Sequence, residues 1–138
     1  MGAAYQLRCN KCGHAVSTSG PWEFYRDAQG QVKDYGHPVP CSKEAKQCGI
    51  AGLRASLYCP DCDKVSEVVI VEFKEPSRQA LDVWSGRAEP KDEYMREEGV
   101  RCPACQGSRL VLAPEDGQTV ACPRCRSGAM VASMEWIS

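Results

Sequence analysis

Eight of the ten cysteines in this 138-residue chain fall into four pairs of one spacing. Cys9/Cys12 reads Cys-Asn-Lys-Cys and Cys59/Cys62 reads Cys-Pro-Asp-Cys. Cys102/Cys105 reads Cys-Pro-Ala-Cys and Cys122/Cys125 reads Cys-Pro-Arg-Cys. Two intervening residues let one tight turn aim both sulfurs at a single tetrahedral ion, with metal–sulfur bonds of about 2.3 Å. In three of the pairs a proline follows the first cysteine and fixes φ where the turn starts. Two such turns complete a four-thiolate site, so the four turns predict two metal ions.

Three other uses of C-x-x-C compete with zinc. A disulfide framework belongs to an oxidising compartment, and residues 1–8 show neither a basic stretch nor an apolar one that would direct export. A thioredoxin-like redox pair needs a βαβ setting, whereas strand-like residues flank these pairs and no long helical pattern follows any of them. Iron held by two such turns has the same spacing as zinc and stays open as the alternative, with two Zn2+ the expected cofactors.

Four pairs allow three groupings. Sixteen residues separate Cys105 from Cys122, matching the usual interval between two zinc-binding pairs. Leu110-Val111-Leu112, a turn at Pro114–Gly117 and Thr119-Val120-Ala121 read as a β-hairpin with one metal-binding turn at each end. This places Cys102, Cys105, Cys122 and Cys125 in one site and, by elimination, Cys9, Cys12, Cys59 and Cys62 in the other, across an interval of 46 residues that must contain an insertion.

On these residues the chain resembles the zinc-ribbon group with its rubredoxin-like knuckles, over 99–138 and, around an inserted segment, over 5–73. Cys102-Pro-Ala-Cys-Gln-Gly-Ser and Cys122-Pro-Arg-Cys-Arg-Ser-Gly are also similar to the cysteine-rich repeats of DnaJ-type cochaperones, C-x-x-C-x-G-x-G. Neither copy keeps both glycines, and His37-Pro38 is followed by Val39, not the aspartate of a J-domain. The ribbon resemblance implies a small metal-stabilised, β-rich protein of two zinc ribbons with short helices.

The elements that position the pairs follow from this. Residues 1–75 form an N-terminal ribbon with an inserted segment over about 19–52, residues 76–98 an acidic linker or short helix, and residues 99–138 a C-terminal ribbon. Short strands flank the first pair at 5–8 and 15–18, and 53–58 leads as a strand into the second. Val65 to Phe73, with Val68-Val69-Ile70-Val71 unbroken, is the strongest strand signal and calls for cover on both faces. Pro76 to Trp84 reads as a short helix. So small a chain, with 12 glycines and 9 prolines, has little core to hold it, and metal ions supply what burial does not.

Cys41 and Cys48 stand outside the pattern. They bracket a short helix with Ser42 as its N-cap and Gly49 beyond its end. They serve as free or packed thiols, as a disulfide, or as half of a third metal site completed by His14 and His37. Trp22, Phe24 and Tyr25 read as core, with stacking on nucleic-acid bases the alternative.

A net charge of −1 excludes a generally basic nucleic-acid binder. A local contact would use Arg101, Arg109, Arg124 and Arg126, unless these offset thiolate charge. No apolar run approaches the roughly 18 residues of a membrane span. Nor is there an H-E-x-x-H, a phosphate-binding glycine loop or a G-x-S-x-G. The expectation is a cytoplasmic, non-catalytic module or adaptor whose partner is another protein. Nucleic-acid binding, and thiol redox sensing or rubredoxin-like electron transfer, are the alternatives.

Overall fold

A computed structural model describes residues 2–36, 39–79, 83, 88, 100–114 and 118–137. Two hairpins dominate it, each carrying a C-x-x-C turn at its tip. The first joins β1 (Ala3–Cys9) to β2 (Ala15–Arg26), and the second joins β4 (Ile50–Cys59) to β5 (Lys64–Ser77). Between the hairpins run β3 (Val32–Asp34) and α1 (Lys43–Cys48), and β6 (Met130–Ile137) follows the last cysteine pair. All six strands join one antiparallel sheet in the order β5-β4-β2-β1-β6, with β3 on β2. No helix among the described residues is long and apolar enough to cross a membrane.

The helix is built as its sequence prescribes. Ser42 Oγ accepts the Ala45 N–H at 3.0 Å, and Gly49 ends it at φ 77°, a left-handed conformation that glycine adopts without steric cost. The segment expected to be an insertion is part of the sheet: Trp22, Glu23 and Phe24 of β2 pair with Arg54, Leu53 and Gly52 of β4. The β-branched run of β5 is half-buried, not covered on both faces, and a register shift opposite Leu53/Arg54 divides it. Val71 packs with Tyr25, Ala45, Ile50 and Phe73, while Val68 and Ile70 pack with Leu57, Val100 and Leu110. Pro76 and Ser77 continue β5, so the expected helix does not start at Pro76. Of residues 78–98, only Arg78, Gln79, Val83 and Ala88 are described, and Val83 is buried with α1.

Near the tips the hairpins separate. Ser19↔Ser56 is the last pair between β2 and β4 on that side. Beyond it, Tyr58 exchanges both backbone hydrogen bonds with Val111, each 2.9 Å, and the Thr18 hydroxyl donates to the Leu112 carbonyl. The expected hairpin over 110–121 is therefore not formed. Val111 bridges Tyr58, Ala121 bridges Ala129, and residues 115–117 of the turn lie outside the described residues. The backbone groups at the fork need partners, and this segment supplies them.

Candidate metal centre

The four cysteine pairs adopt one conformation. In each, the first cysteine is buried and the second lies nearer solvent. The residue after the second cysteine is left-handed every time: Gly13 (φ 78°), Asp63 (φ 57°), Gln106 (φ 65°) and Arg126 (φ 61°). That conformation returns the N–H of Gly13, Gln106 and Arg126 to the carbonyl of Cys9, Cys102 and Cys122 at 3.2, 2.8 and 2.9 Å. Further amides turn toward sulfur. The N–H groups of Lys11 and Cys12 donate to Cys9 Sγ, and that of Gly107 to Cys105 Sγ, all at 3.4 Å.

The turns combine differently from the spacing. Cys9, Cys12, Cys122 and Cys125 form the first centre, and Cys59, Cys62, Cys102 and Cys105 the second. Closest sulfur separations are 3.5 Å (Cys9–Cys125) and 3.6 Å (Cys12–Cys122) in the first. In the second, Cys59–Cys105 and Cys62–Cys102 are both 3.6 Å. Tetrahedral geometry with bonds of about 2.3 Å separates sulfurs by about 3.8 Å, so each set can hold one ion. The expected groups 9/12/59/62 and 102/105/122/125 are thus corrected to a nested pair, outer with outer and inner with inner.

Sheet contacts explain the exchange. Laying β6 on β1 sets Met130 opposite Cys9 and brings the Asn10 N–H to the Ala129 carbonyl at 3.0 Å, which delivers Cys122 and Cys125. The Tyr58–Val111 bridge delivers Cys102 and Cys105 to the second hairpin. Residues 99–138 therefore close no ribbon of their own among the described residues. Glycine is required at one junction: a Cβ on Gly128 would overlap Cys9 Sγ.

Between the centres lies Asp63, which sequence reasoning missed. Its Oδ1 accepts from the Tyr58 hydroxyl at 2.7 Å and lies 2.7 Å from His14 Nε2. Its Oδ2 accepts from Arg124 Nε at 3.0 Å. Asp63 follows Cys62 of the second centre, whereas His14 and Arg124 sit on the two turns of the first. Burial pushes the Asp63 carboxyl up, but the bonds from His14, Tyr58 and Arg124 outweigh it and hold the pKa below the usual range. Burial, then the bond to Asp63, pushes the Tyr58 hydroxyl up. The available signal was an aspartate where a left-handed residue is needed, a position that aspartate tolerates better than most residues.

The thiols of each cluster differ in how their surroundings treat a negative charge. Amides of Cys12 and Lys11 lower Cys9, and those of Ser127 and Gly128 lower Cys125 to about 6. Cys12 rises to about 11, since burial and the neighbouring thiols outweigh the His14 amide. In the second centre burial raises Cys59, and burial with three neighbouring thiols raises Cys62 to about 12. Cys102 falls to about 7 because the amides of Cys105 and Ala104 outweigh its burial. Four thiolates at such distances repel one another, and a divalent ion removes the conflict.

The remaining candidates disperse. His14 is bound to Asp63, Cys41 Sγ donates to the Asp34 carbonyl at 3.0 Å, and Cys48, the last residue of α1, packs against the core. Both cysteines are free thiols. The structure does not join them to His14, and His37 lies outside the described residues. Arg109 pairs with Asp61, Arg124 with Asp63, and Arg101 donates to the Gln106 carbonyl at 3.2 Å. Phe24 and Tyr25 are core, while Trp22 stacks on Trp136 at 5.5 Å. No protein-family model, curated protein or solved structure matches this chain. The two clusters fit a zinc-ribbon-like arrangement in a small β-rich protein with a metal-binding character.

Proposed function

We propose that this is a non-catalytic zinc protein of the cytoplasm, a module held by two structural ions and working through contacts with other proteins. The observation that carries the reading is the completeness of both ligand sets. Each centre brings together four thiols, with no histidine or carboxylate joining them among the described residues. A catalytic zinc keeps three protein ligands and an open position, whereas four thiolates close the coordination shell.

Nucleic-acid binding through Arg101, Arg109, Arg124 and Arg126 has less support, because Arg109 and Arg124 are engaged by Asp61 and Asp63. Elemental analysis of the native protein tests the main reading, with two zinc ions per chain the expected result. Iron with a visible absorption band would replace the module by an electron carrier. Metal-free folded protein would overturn the structural role. Nucleic-acid affinity that falls steeply with salt and is lost in an Arg124→Ala/Arg126→Ala variant would replace the protein partner.

A further inference from the structure

The two outer strands of the sheet are protected very differently. β5 carries Lys64, Glu67, Lys74, Glu75 and Pro76, charges and a proline that discourage another strand from adding to it. β6 carries one charge, Glu135, and four large apolar side chains that are more than half exposed: Val131, Met134, Trp136 and Ile137. At its start, the Met130 N–H is taken by the Val120 carbonyl at 2.8 Å on the side away from β1. From Val131 onward, no backbone pairing to a described strand other than β1 is formed. Stacking of Trp136 on Trp22 fixes the far end.

We infer that β6 is the interface of a symmetric dimer, in which it pairs antiparallel with β6 of a second copy about a two-fold axis at Ser133. Three features of the strand select this occupant. The first is hydrogen-bond direction. The Met130 N–H points away from β1, so by strand alternation Ala132 and Met134 also direct their backbone groups outward. A two-fold at Ser133 sets Ala132 of one copy opposite Met134 of the other, so outward groups meet outward groups on both sides of the axis.

The second feature is shape. With Glu135 bulged out of the pairing as it is against β1, the same axis sets Val131 opposite Trp136. A register shift at Ala4/Tyr5 places Met134 opposite Tyr5 and Trp136 opposite Ala4, leaving Glu135 as the extra residue. Counted across that shift, Val131 and Trp136 lie on one face of the sheet and Ala132 and Met134 on the other, so each pair shares a face. Both pairs are apolar, and one sets small Ala132 beside long Met134. The third is charge: Glu135, the one charge of the strand, falls in the bulge, and the two copies of it do not face each other. A two-fold interface of this kind asks for a single self-complementary strand.

This inference rests on the proposed function for its use of protein contacts and names one partner. Sedimentation velocity of the metal-loaded full chain, over a wide concentration range, measures it against the 15.1 kDa monomer. A species of twice that mass is expected. Val131→Lys alone and Trp136→Glu alone should each raise the dimer dissociation constant by roughly tenfold or more, with metal content unchanged as the check on folding. The Val131→Lys/Trp136→Glu double variant should recover dimer, because each new lysine then faces a new glutamate.

A monomer at all concentrations overturns the inference, as does a dimer indifferent to both single variants. A double variant no tighter than the singles overturns the Ser133 register. Capture of a different extended chain on β6 by a monomeric protein also overturns the self-pairing. Metal content is read separately in every sample, so a monomer with two ions defeats this inference and leaves the proposed function standing, while a folded, metal-free dimer does the reverse.

Discussion

The first metal centre joins Cys9 to Cys125, 116 positions apart, whereas the second joins Cys59 to Cys105, 46 positions apart and entirely inside the first. Closing the longer loop costs about 0.8 kcal/mol more than closing the shorter one, and the outer loop shortens once the inner is closed. The second centre is thus the one that can form first. The centres also differ at sulfur. In the first, directed amides lower Cys9 and Cys125 while Cys12 is raised; in the second, burial and crowding raise Cys59 and Cys62 while directed amides lower Cys102. One geometry has been placed in two environments, and Asp63 connects them. The turn is common to all four pairs, so the difference between the centres lies in what each hairpin packs around it.

The largest effects test the pairing itself. Cys12→Ser should reduce metal from two ions per chain to one, with each structural site worth an apparent ten or more kcal/mol (range about 10–16). Alkylation followed by peptide mapping should then label Cys9, Cys122 and Cys125 and spare Cys59, Cys62, Cys102 and Cys105. Labelling of Cys59 and Cys62 instead would restore the sequential grouping.

Next comes Gly128→Ala, whose Cβ would overlap Cys9 Sγ, at an overpacking cost of about 1–3 kcal/mol. The first centre should lose metal affinity by roughly tenfold or more while the second keeps its own. Competitive chelator titration separates the two, and equal weakening of both would show that Gly128 does not act locally.

Asp63→Asn keeps the shape and removes the charge that binds His14 and Arg124. A cost of about 1–3 kcal/mol is expected, with reduced cooperativity between the first and second metal equivalents in calorimetry. Unchanged cooperativity would mean that the centres are independent.

The smallest effect is in acid. Protons compete with metal for thiolate, and a thiol of higher pKa regains its proton at higher pH. In the second centre Cys59 and Cys62 are raised and Cys102 is lowered, whereas in the first Cys9 and Cys125 are lowered and Cys12 is raised, so the second holds more of the raised thiols. As pH falls, the second centre should therefore release its ion before the first. Cobalt-loaded Cys12→Ser and Cys105→Ser proteins, each holding one ion, report this directly. Earlier release from the first centre would reverse the comparison.

Much of the local structure was legible in the residues. Ser42 and Gly49 bracket the helix they were expected to bracket, strands run into both hairpin turns, and eight cysteines form two sets of four. The Val65–Phe73 run is a strand, as expected, but Val68–Val71 are half-buried and not covered on both faces. What could not be read was the use of Val111, whose strand-like neighbours suggested a hairpin with Val120 when its partner is Tyr58. Nor was Asp63 visible as more than a turn residue, because its three partners come from positions 14, 58 and 124.

The sequence by itself determined which eight cysteines come together in fours, since two residues between cysteines suit one tight turn. Which turn meets which was decided only by the tertiary structure. Loop-closure entropy grows with the logarithm of length, about 0.6 kcal/mol for each doubling, so an interval of sixteen residues carries little preference over a longer one. Laying β6 on β1 and wedging Val111 between the hairpins satisfies buried backbone groups that spacing cannot reveal. That requirement, and not the distance along the chain, nests one centre inside the other.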